Sequence, residues 1–145
     1  MCETIPREID ETFLNATTTE ATSTEYAAIP ENEYNAVVHK IDLRTPKDSV
    51  ILEIHWALDA PGVEDAEGKV ARMSIFLDTT ADGQLAVGKG KNVKLGRVRT
   101  ALGQNEAGTP WAPSMMMGAV ARIKVTNSAG KDGQIYSNVT EVTKA

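Results

Sequence analysis

Alternation of apolar and polar residues is the main pattern of the chain after residue 33. It predicts strands over residues 34–44, 50–58, 70–78, 119–125 and 135–143, separated by turn-forming residues. In the second strand Trp56 alternates with Leu52 and Ile54, which indicates a core position. In the first strand two faces are expected: Val37, His39, Ile41 and Leu43 on one, and Ala36, Val38, Lys40, Asp42 and Arg44 on the other.

The period changes between the third and fourth strands. Apolar residues follow helical spacing from Val93 to Leu102, with Asn92 as the expected N-cap and Gly103 as the expected C-terminal cap. The order β-β-β-α-β-β is that of the OB-fold, a partly open five-stranded Greek-key barrel. We therefore predict a mainly β, OB-like barrel with one helix between strands 3 and 4. The alternative architecture is a β-sandwich with a helical insertion.

Residues 1–33 differ from the rest of the chain in composition. They are polar and acidic and show no apolar period, which predicts an extended acidic N-terminal arm before a barrel domain over residues 34–145. The apolar pair Phe13 and Leu14, together with residues 26–29, is expected to hold this arm against the barrel wherever it is ordered.

Charge is divided unevenly along the 145 residues. The formal net charge of −5 comes from −7 over residues 1–35 and +2 over residues 36–145, while residues 83–105 hold five bases and no acid. A basic stretch in an acidic protein indicates a surface that binds something anionic. The alternative is a solvated helix face whose neutralising carboxylates lie elsewhere in the fold.

Several function classes find little support in the sequence. No apolar run has the length of a membrane helix, and residues 1–6 lack the basic and apolar regions of a signal peptide, so a cytoplasmic protein is expected. One cysteine and two histidines make an ordinary zinc site improbable, and we predict no metal, cofactor or catalytic site. Residues 83–90 nearly match a phosphate-binding loop, but Gly90 replaces the required hydroxyl residue.

Several stretches resemble a family of small phage-encoded proteins of replication and recombination, suspected of binding single-stranded DNA. The similar stretches are AAIPENEYNAVV (27–38), GKGKNVKLGR (88–97), ALGQN (101–105), MGAVA (117–121) and YSNV (136–139). The resemblance covers about residues 13–143 and rests on their order and spacing. It implies an OB-like fold and DNA binding, without assigning roles to individual residues.

Binding of single strands requires cations that contact phosphates and flat side chains on which bases stack. Alternation predicts that Arg72 and Phe76 project together from the outer side of the barrel, with Phe76 as the main stacking candidate and Tyr136 as a weaker one. The predicted nucleic-acid-binding residues are Lys40, Arg44, Arg72, Phe76, Lys89, Lys91, Lys94, Arg97, Arg99, Arg122, Lys124 and Tyr136.

These observations predict a non-catalytic protein that binds single-stranded DNA, or RNA, in a phage-type replication or recombination system of the host cytoplasm. Self-association is expected because one small barrel covers few nucleotides. The acidic arm is expected either to compete for the binding groove or to recruit a partner protein. The alternative function is structural: a virion decoration or scaffold module with a β-barrel core.

Overall fold

The computed structural model describes residues 12–23 and 27–145. Five strands form a closed barrel in the order β1-β2-β3-β5-β4: β1 (Asn32–Arg44), β2 (Val50–Asp59), β3 (Val70–Leu77), β4 (Val120–Ala129) and β5 (Ile135–Thr143). One α-helix, α1 (Val93–Ala101), follows β3 along the chain, and 3-10 turns span Phe13–Asn15 and Pro113–Met116. The predicted mainly β barrel with one helix is confirmed.

Antiparallel pairing joins β1 to both β2 and β4, β2 to β3, and β4 to β5. The barrel closes between β3 and β5, which run parallel and share one residue pair, Arg72 with Asn138. α1 contacts both of these strands and buries Leu95 and Val98 in the core. The helix therefore adds side-chain packing to two strands that share a single ladder pair.

The core lies inside the barrel and follows the inward positions of each strand. Trp56, Leu52 and Ile54 of β2 are fully buried, as their alternation predicts. Residues 27–31 also belong to this body, because Ile29 is buried in the core and the Tyr34 hydroxyl donates a hydrogen bond to the Pro30 carbonyl at 2.5 Å. The domain boundary expected after residue 33 falls inside β1.

A β-bulge at His39 corrects the expected faces of β1. Val38 pairs with Trp56 and Lys40 with His55, so His39 has no partner on β2. The bulge exchanges the two faces of the strand. Ala36 and Val38 therefore point into the core, whereas the alternation placed them on the outer face with Lys40.

Two other expectations are also corrected. Asn92 precedes α1 but does not cap it: its backbone is left-handed (φ 50°), and its side-chain amide donates to the carbonyls of Asp78 and Ala86. Asn92 therefore fastens the segment between β3 and α1. The strand expected to end at Val125 continues to Ala129, because its last residues pair with the start of β5.

None of the helices in residues 12–23 and 27–145 is long and apolar enough to cross a membrane.

Candidate functional site

The outer face of β3 carries an exposed aromatic ring beside a cation. Arg72, Ser74 and Phe76 alternate with buried Ala71, Met73 and Ile75, so all three point outward. Phe76 is 70% exposed, although its cross-strand partner on β2, Ile51, is buried. The predicted pairing of Arg72 and Phe76 on one face is therefore present.

A second cation reaches this face from the helix. Lys94, in the first turn of α1, donates a hydrogen bond from Nζ to the Ser74 carbonyl at 3.0 Å. Ser74 lies between Arg72 and Phe76 on β3, at a position where β3 has no ladder partner on β5. Lys94 thus satisfies a strand-edge carbonyl and brings an ammonium group to the β3 backbone two residues before Phe76.

A cleft of about 380 Å³ continues from this face, between the beginnings of β3 and β5. Lys69, Arg72 and Tyr136 supply its charged and aromatic lining, and Asn138 and Ile29 lie alongside them. We call Lys69, Arg72, Phe76, Lys94 and Tyr136 together the β3 surface. No carboxylate of the described residues lies within salt-bridge distance of its three cations.

The ring of Tyr136 is held at the rim of the cleft. Its hydroxyl donates a hydrogen bond to Asp132 Oδ2 at 2.6 Å. This bond, with a second from the Gln134 N–H, lowers the pKa of the Asp132 carboxyl below its ordinary value. The ring also lies against Gly130, where an added Cβ would come within 2.5 Å of Tyr136 Cε2.

Three further predicted cations lie around the start of α1. Lys89 and Lys91 are exposed in the loop before the helix, and Arg97 is exposed one turn after Lys94. Within the described residues, none of the three forms an ion pair. They extend the positive charge of the β3 surface along the helix.

Three predicted cations on the strands are instead paired with carboxylates. The distances are 3.5 Å for Lys40–Asp42, 3.6 Å for Arg44–Glu53 and 3.3 Å for Arg122–Glu33. Lys124 is exposed on β4 but lies between Glu33 and Glu141 in the ladder. These four residues are therefore neutralised or flanked by acids and do not extend the β3 surface.

Arg99 supports the loop after α1. Its guanidinium carbon lies 4.1 Å from the centre of the Trp111 ring, and its Nε donates to the Gln104 carbonyl. The Trp111 Nε1–H donates to the side-chain oxygen of the same glutamine at 2.9 Å. Arg99 therefore stabilises this loop, and its guanidinium is already covered by a ring.

The sequence prediction did not include Lys69 or Asn138. Asn138 lies two residues after Tyr136 on β5, so alternation alone was a usable signal for it. Lys69 comes directly before β3, at the end of a polar loop where no periodicity indicates a direction. Only the approach of β5 to β3 places it at the cleft.

The stretch that resembles a phosphate-binding loop is part of a tight turn. Thr80 and Gln84 bond across it through the Thr80 N–H, and Thr79 forms an isolated bridge with Leu85. The apolar residues from Leu85 to Val87 therefore follow an extended path beside the end of β3, as their composition suggested.

Compared with known proteins, the chain matches no family model, and no curated protein matches it significantly.

Proposed function

We propose that this chain is an OB-like, non-catalytic protein that binds single-stranded DNA along the β3 surface. A closed barrel in the order β1-β2-β3-β5-β4, with a parallel β3–β5 pair and one helix, supports the OB-like assignment. OB-folds bind oligonucleotides on the face formed by strands 2 and 3. Both Arg72 and Phe76 lie on that face.

The observation that carries the proposal is Phe76, 70% exposed on a strand face where Arg72 and Lys94 lack carboxylate partners among the described residues. A base that stacks on this exposed ring removes apolar surface from water and stabilises the complex by about 1–3 kcal/mol. Arg72 and Lys94 both lie on the Arg72 side of the ring along β3, where they are placed to contact successive phosphates that lead away from such a base. Stacking and phosphate contacts together require no sequence preference.

The β3 surface also provides a path for a chain of nucleotides. Arg72 and Phe76 are about 13 Å apart along β3, given about 3.3 Å per residue. Beyond Arg72, the cleft adds Lys69 and the Tyr136 ring. A strand laid along this path meets ring, cation and ring in turn, which suits a flexible single strand better than a rigid duplex.

The test is fluorescence anisotropy of a labelled oligothymidine at several salt concentrations. Phe76→Ala is expected to weaken binding about 5- to 150-fold, the equivalent of about 1–3 kcal/mol. Arg72→Gln is expected to weaken binding and to reduce the slope of log affinity against log salt by about 0.7. Unlabelled oligouridine as competitor measures the preference for DNA over RNA.

Matched controls come from residues of the same type outside the β3 surface. Leu43→Ala removes another exposed apolar side chain, and Arg44→Gln removes an arginine already paired with Glu53. Both are expected to bind like the unchanged protein. Absence of binding at low salt, or equal effects of Phe76→Ala and Leu43→Ala, would refute the proposal.

The biological setting, replication or recombination of a phage-type system, rests on the resemblance of the five sequence stretches. It is part of the proposal and has its own test. Co-purification of oligonucleotides with the protein from infected cells supports it, and recovery from purified particles in stoichiometric amounts contradicts it.

One observation favours a second function, as an assembly module. An apolar row crosses four strands on the outside of the barrel, where Val37 pairs with both Val120 and Ala57, and Ala57 pairs with Val70. Val120 is 59% exposed. Exposed apolar surface of this kind suits a protein interface, such as one with a second copy of the chain.

Sedimentation velocity with and without oligonucleotide separates the two functions. An oligomer that forms without DNA and that Val120→Lys dissociates, in a protein with no DNA affinity, identifies an assembly module. DNA binding that persists in a Val120→Lys monomer identifies the β3 surface as the functional one.

A further inference from the structure

Three side chains with metal-binding atoms converge on the outer face of β1 and β2, beside the β3 surface, because His55 is the cross-strand partner of Arg72. Asp42 and Glu53 are direct cross-strand partners, and His55 follows two residues later on the same face of β2. One ligand atom from each lies within 4.8 Å of the other two. His55 Nε2 is 3.0 Å from Glu53 Oε1 and 3.4 Å from Asp42 Oδ2.

This arrangement places two carboxylates opposite each other, which destabilises a sheet unless positive charge lies between them. The Glu53 and His55 side chains are only 15% and 11% accessible, so water screens them poorly. Arg44 contacts the other oxygen of Glu53, Oε2, at 3.6 Å, whereas Lys40 contacts Asp42 Oδ2, the oxygen that also faces His55, at 3.5 Å. His55 Nε2 lies within 3.4 Å of one oxygen of each carboxylate.

We propose that Asp42, Glu53 and His55 bind a divalent transition-metal ion and that Zn²⁺ fits this site. Imidazole nitrogen and carboxylate oxygen both bind Zn²⁺ at about 2.0–2.2 Å, so ligand atoms of a tetrahedral site lie about 3.3–3.6 Å apart. The Nε2–Oδ2 separation matches this spacing. The Nε2–Oε1 separation requires a widening of about 0.3 Å, which a side-chain rotation provides.

The surroundings support Zn²⁺ in two ways. Arg44 holds the outer oxygen of Glu53 and leaves Oε1 directed at His55, which orients a ligand in the manner of an outer-shell contact. The two carboxylates attract a divalent ion, in competition with Lys40 and Arg44, each of which contacts one of them. Mg²⁺ suits the site poorly, because it requires octahedral coordination by oxygen and retains its waters.

Three protein ligands leave one position of a tetrahedral ion open to solvent on the outside of the barrel. Such a position takes a water molecule or an anionic group from a partner. None of the three ligands belongs to the β3 surface, but the site adjoins it, because His55 pairs with Arg72 across the strands.

The test is titration calorimetry of the full chain with Zn²⁺ after removal of metals by EDTA. One ion is expected to bind per chain, and excess Mg²⁺ is not expected to displace it. His55→Gln and Asp42→Asn are each expected to weaken binding at least about tenfold, since even loss of an outer-shell contact costs that much. His39→Gln, at the exposed bulge, is the matched histidine control and is expected to bind normally.

Cys2 is another side chain that binds zinc, so Cys2→Ser is the second control and is also expected to bind normally. Imidazole ¹⁵N spectra provide a direct readout: Zn²⁺ is expected to shift the His55 Nε2 resonance and to leave His39 unchanged. Circular dichroism checks that each variant folds. Asp42 is 40% accessible, so Asp42→Asn remains informative even if His55→Gln does not fold.

No binding of Zn²⁺ to the unchanged chain would refute the site. Binding that survives both His55→Gln and Asp42→Asn, or that His39→Gln or Cys2→Ser abolishes, would refute it as well.

Discussion

Tyr136 shows how neighbours fix an exposed ring in place. Asp132 accepts a hydrogen bond from its hydroxyl, and Gly130 leaves the space that the ring occupies. Both residues belong to the turn between β4 and β5, where the Gly130 N–H donates to the Gln134 carbonyl. The turn therefore sets the position of the ring at the cleft before any ligand arrives, which reduces the entropy lost on binding.

The Asp132 carboxyl reports on this arrangement. Its pKa is lowered below 3.8, first by the bond from Tyr136, so carboxyl ¹³C titration is expected to give a midpoint below that value. Tyr136→Phe removes the hydroxyl and Gly130→Ala displaces the ring, and each is expected to raise the midpoint towards 3.8. The pKa of Asp132 is lower in the folded state than in the unfolded state. The hydrogen bond therefore stabilises the fold above pH 3.8, and this stabilisation is lost as Asp132 is protonated at lower pH. A midpoint unchanged by both variants would contradict this account.

At the level of single residues, sequence patterns predicted which face of a strand a side chain lies on, but not which residues it contacts. Arg72 and Arg122 were both expected to point outward, and both are exposed. Only Arg122 lies against an acid, Glu33, which is 89 residues away along the chain. No local pattern reports such a contact, because it depends on the pairing of β1 with β4.

Among the elements, β1 has the most demanding role, because it pairs with β4 along its first half and with β2 along most of its length. The extra residue at His39 adds the local bend and twist that a strand needs to serve both neighbours. It also moves Lys40, Asp42 and Arg44 to the outside, where the proposed zinc ligand Asp42 faces Glu53.

Deleting His39 is expected to leave a folded barrel, because Lys40 then follows Val38 in regular alternation and still points outward. Deleting Ile41 instead is expected to prevent folding, because Asp42 would then turn towards the core. Thermal unfolding followed by circular dichroism distinguishes the two variants. The His39 deletion should melt cooperatively at a lower temperature than the full chain, since the strand loses its bend. A His39 deletion that fails to fold would show that the bend itself is indispensable.

Alternation was sufficient to find the first four strands, the turn-rich segment before residue 135 marked the fifth, and a change of period indicated α1. The departures share one physical cause, which is that tertiary contacts override local preference. Asn92 has the residue type of a helix cap, but the carbonyls of Asp78 and Ala86 attract its amide. The bulge at His39 interrupts the pairing of β1 with β2, a contact between strands that no local pattern reports.

In the whole molecule, the N-terminal region and the basic β3 surface differ in how they contact the barrel. Residues 12–23 are exposed, whereas Ile29 is held by bonds to Ser137 and Asn127. The chain is thus attached to the barrel at β4 and β5, and Ile29 lines the cleft of the β3 surface. Negative charge that precedes Ile29 starts near the surface proposed to bind phosphates.

Removal of residues 1–23 is expected to tighten oligonucleotide binding, because those residues carry five acids against one base. The effect should be largest at low salt and should disappear as screening increases. Anisotropy titrations of the truncated and full chains measure it. Replacing the five acids by their amides is the matched control for length, and it should reproduce the effect. Equal affinities at low salt would favour recruitment of a partner as the role of this region.

The single residue pair that closes the barrel has a further consequence for its motions. Amides near Arg72 and Asn138 are expected to exchange with deuterium before those of the long β1–β2 ladder, because little backbone bonding opposes local opening there. Arg72 belongs to this pair, so a molecule bound to Arg72 and to the neighbouring residues of β5 would connect the two strands and slow their separation. Protection of the amides near Arg72 and Asn138 would therefore increase when a ligand is bound, so their exchange rates would report binding.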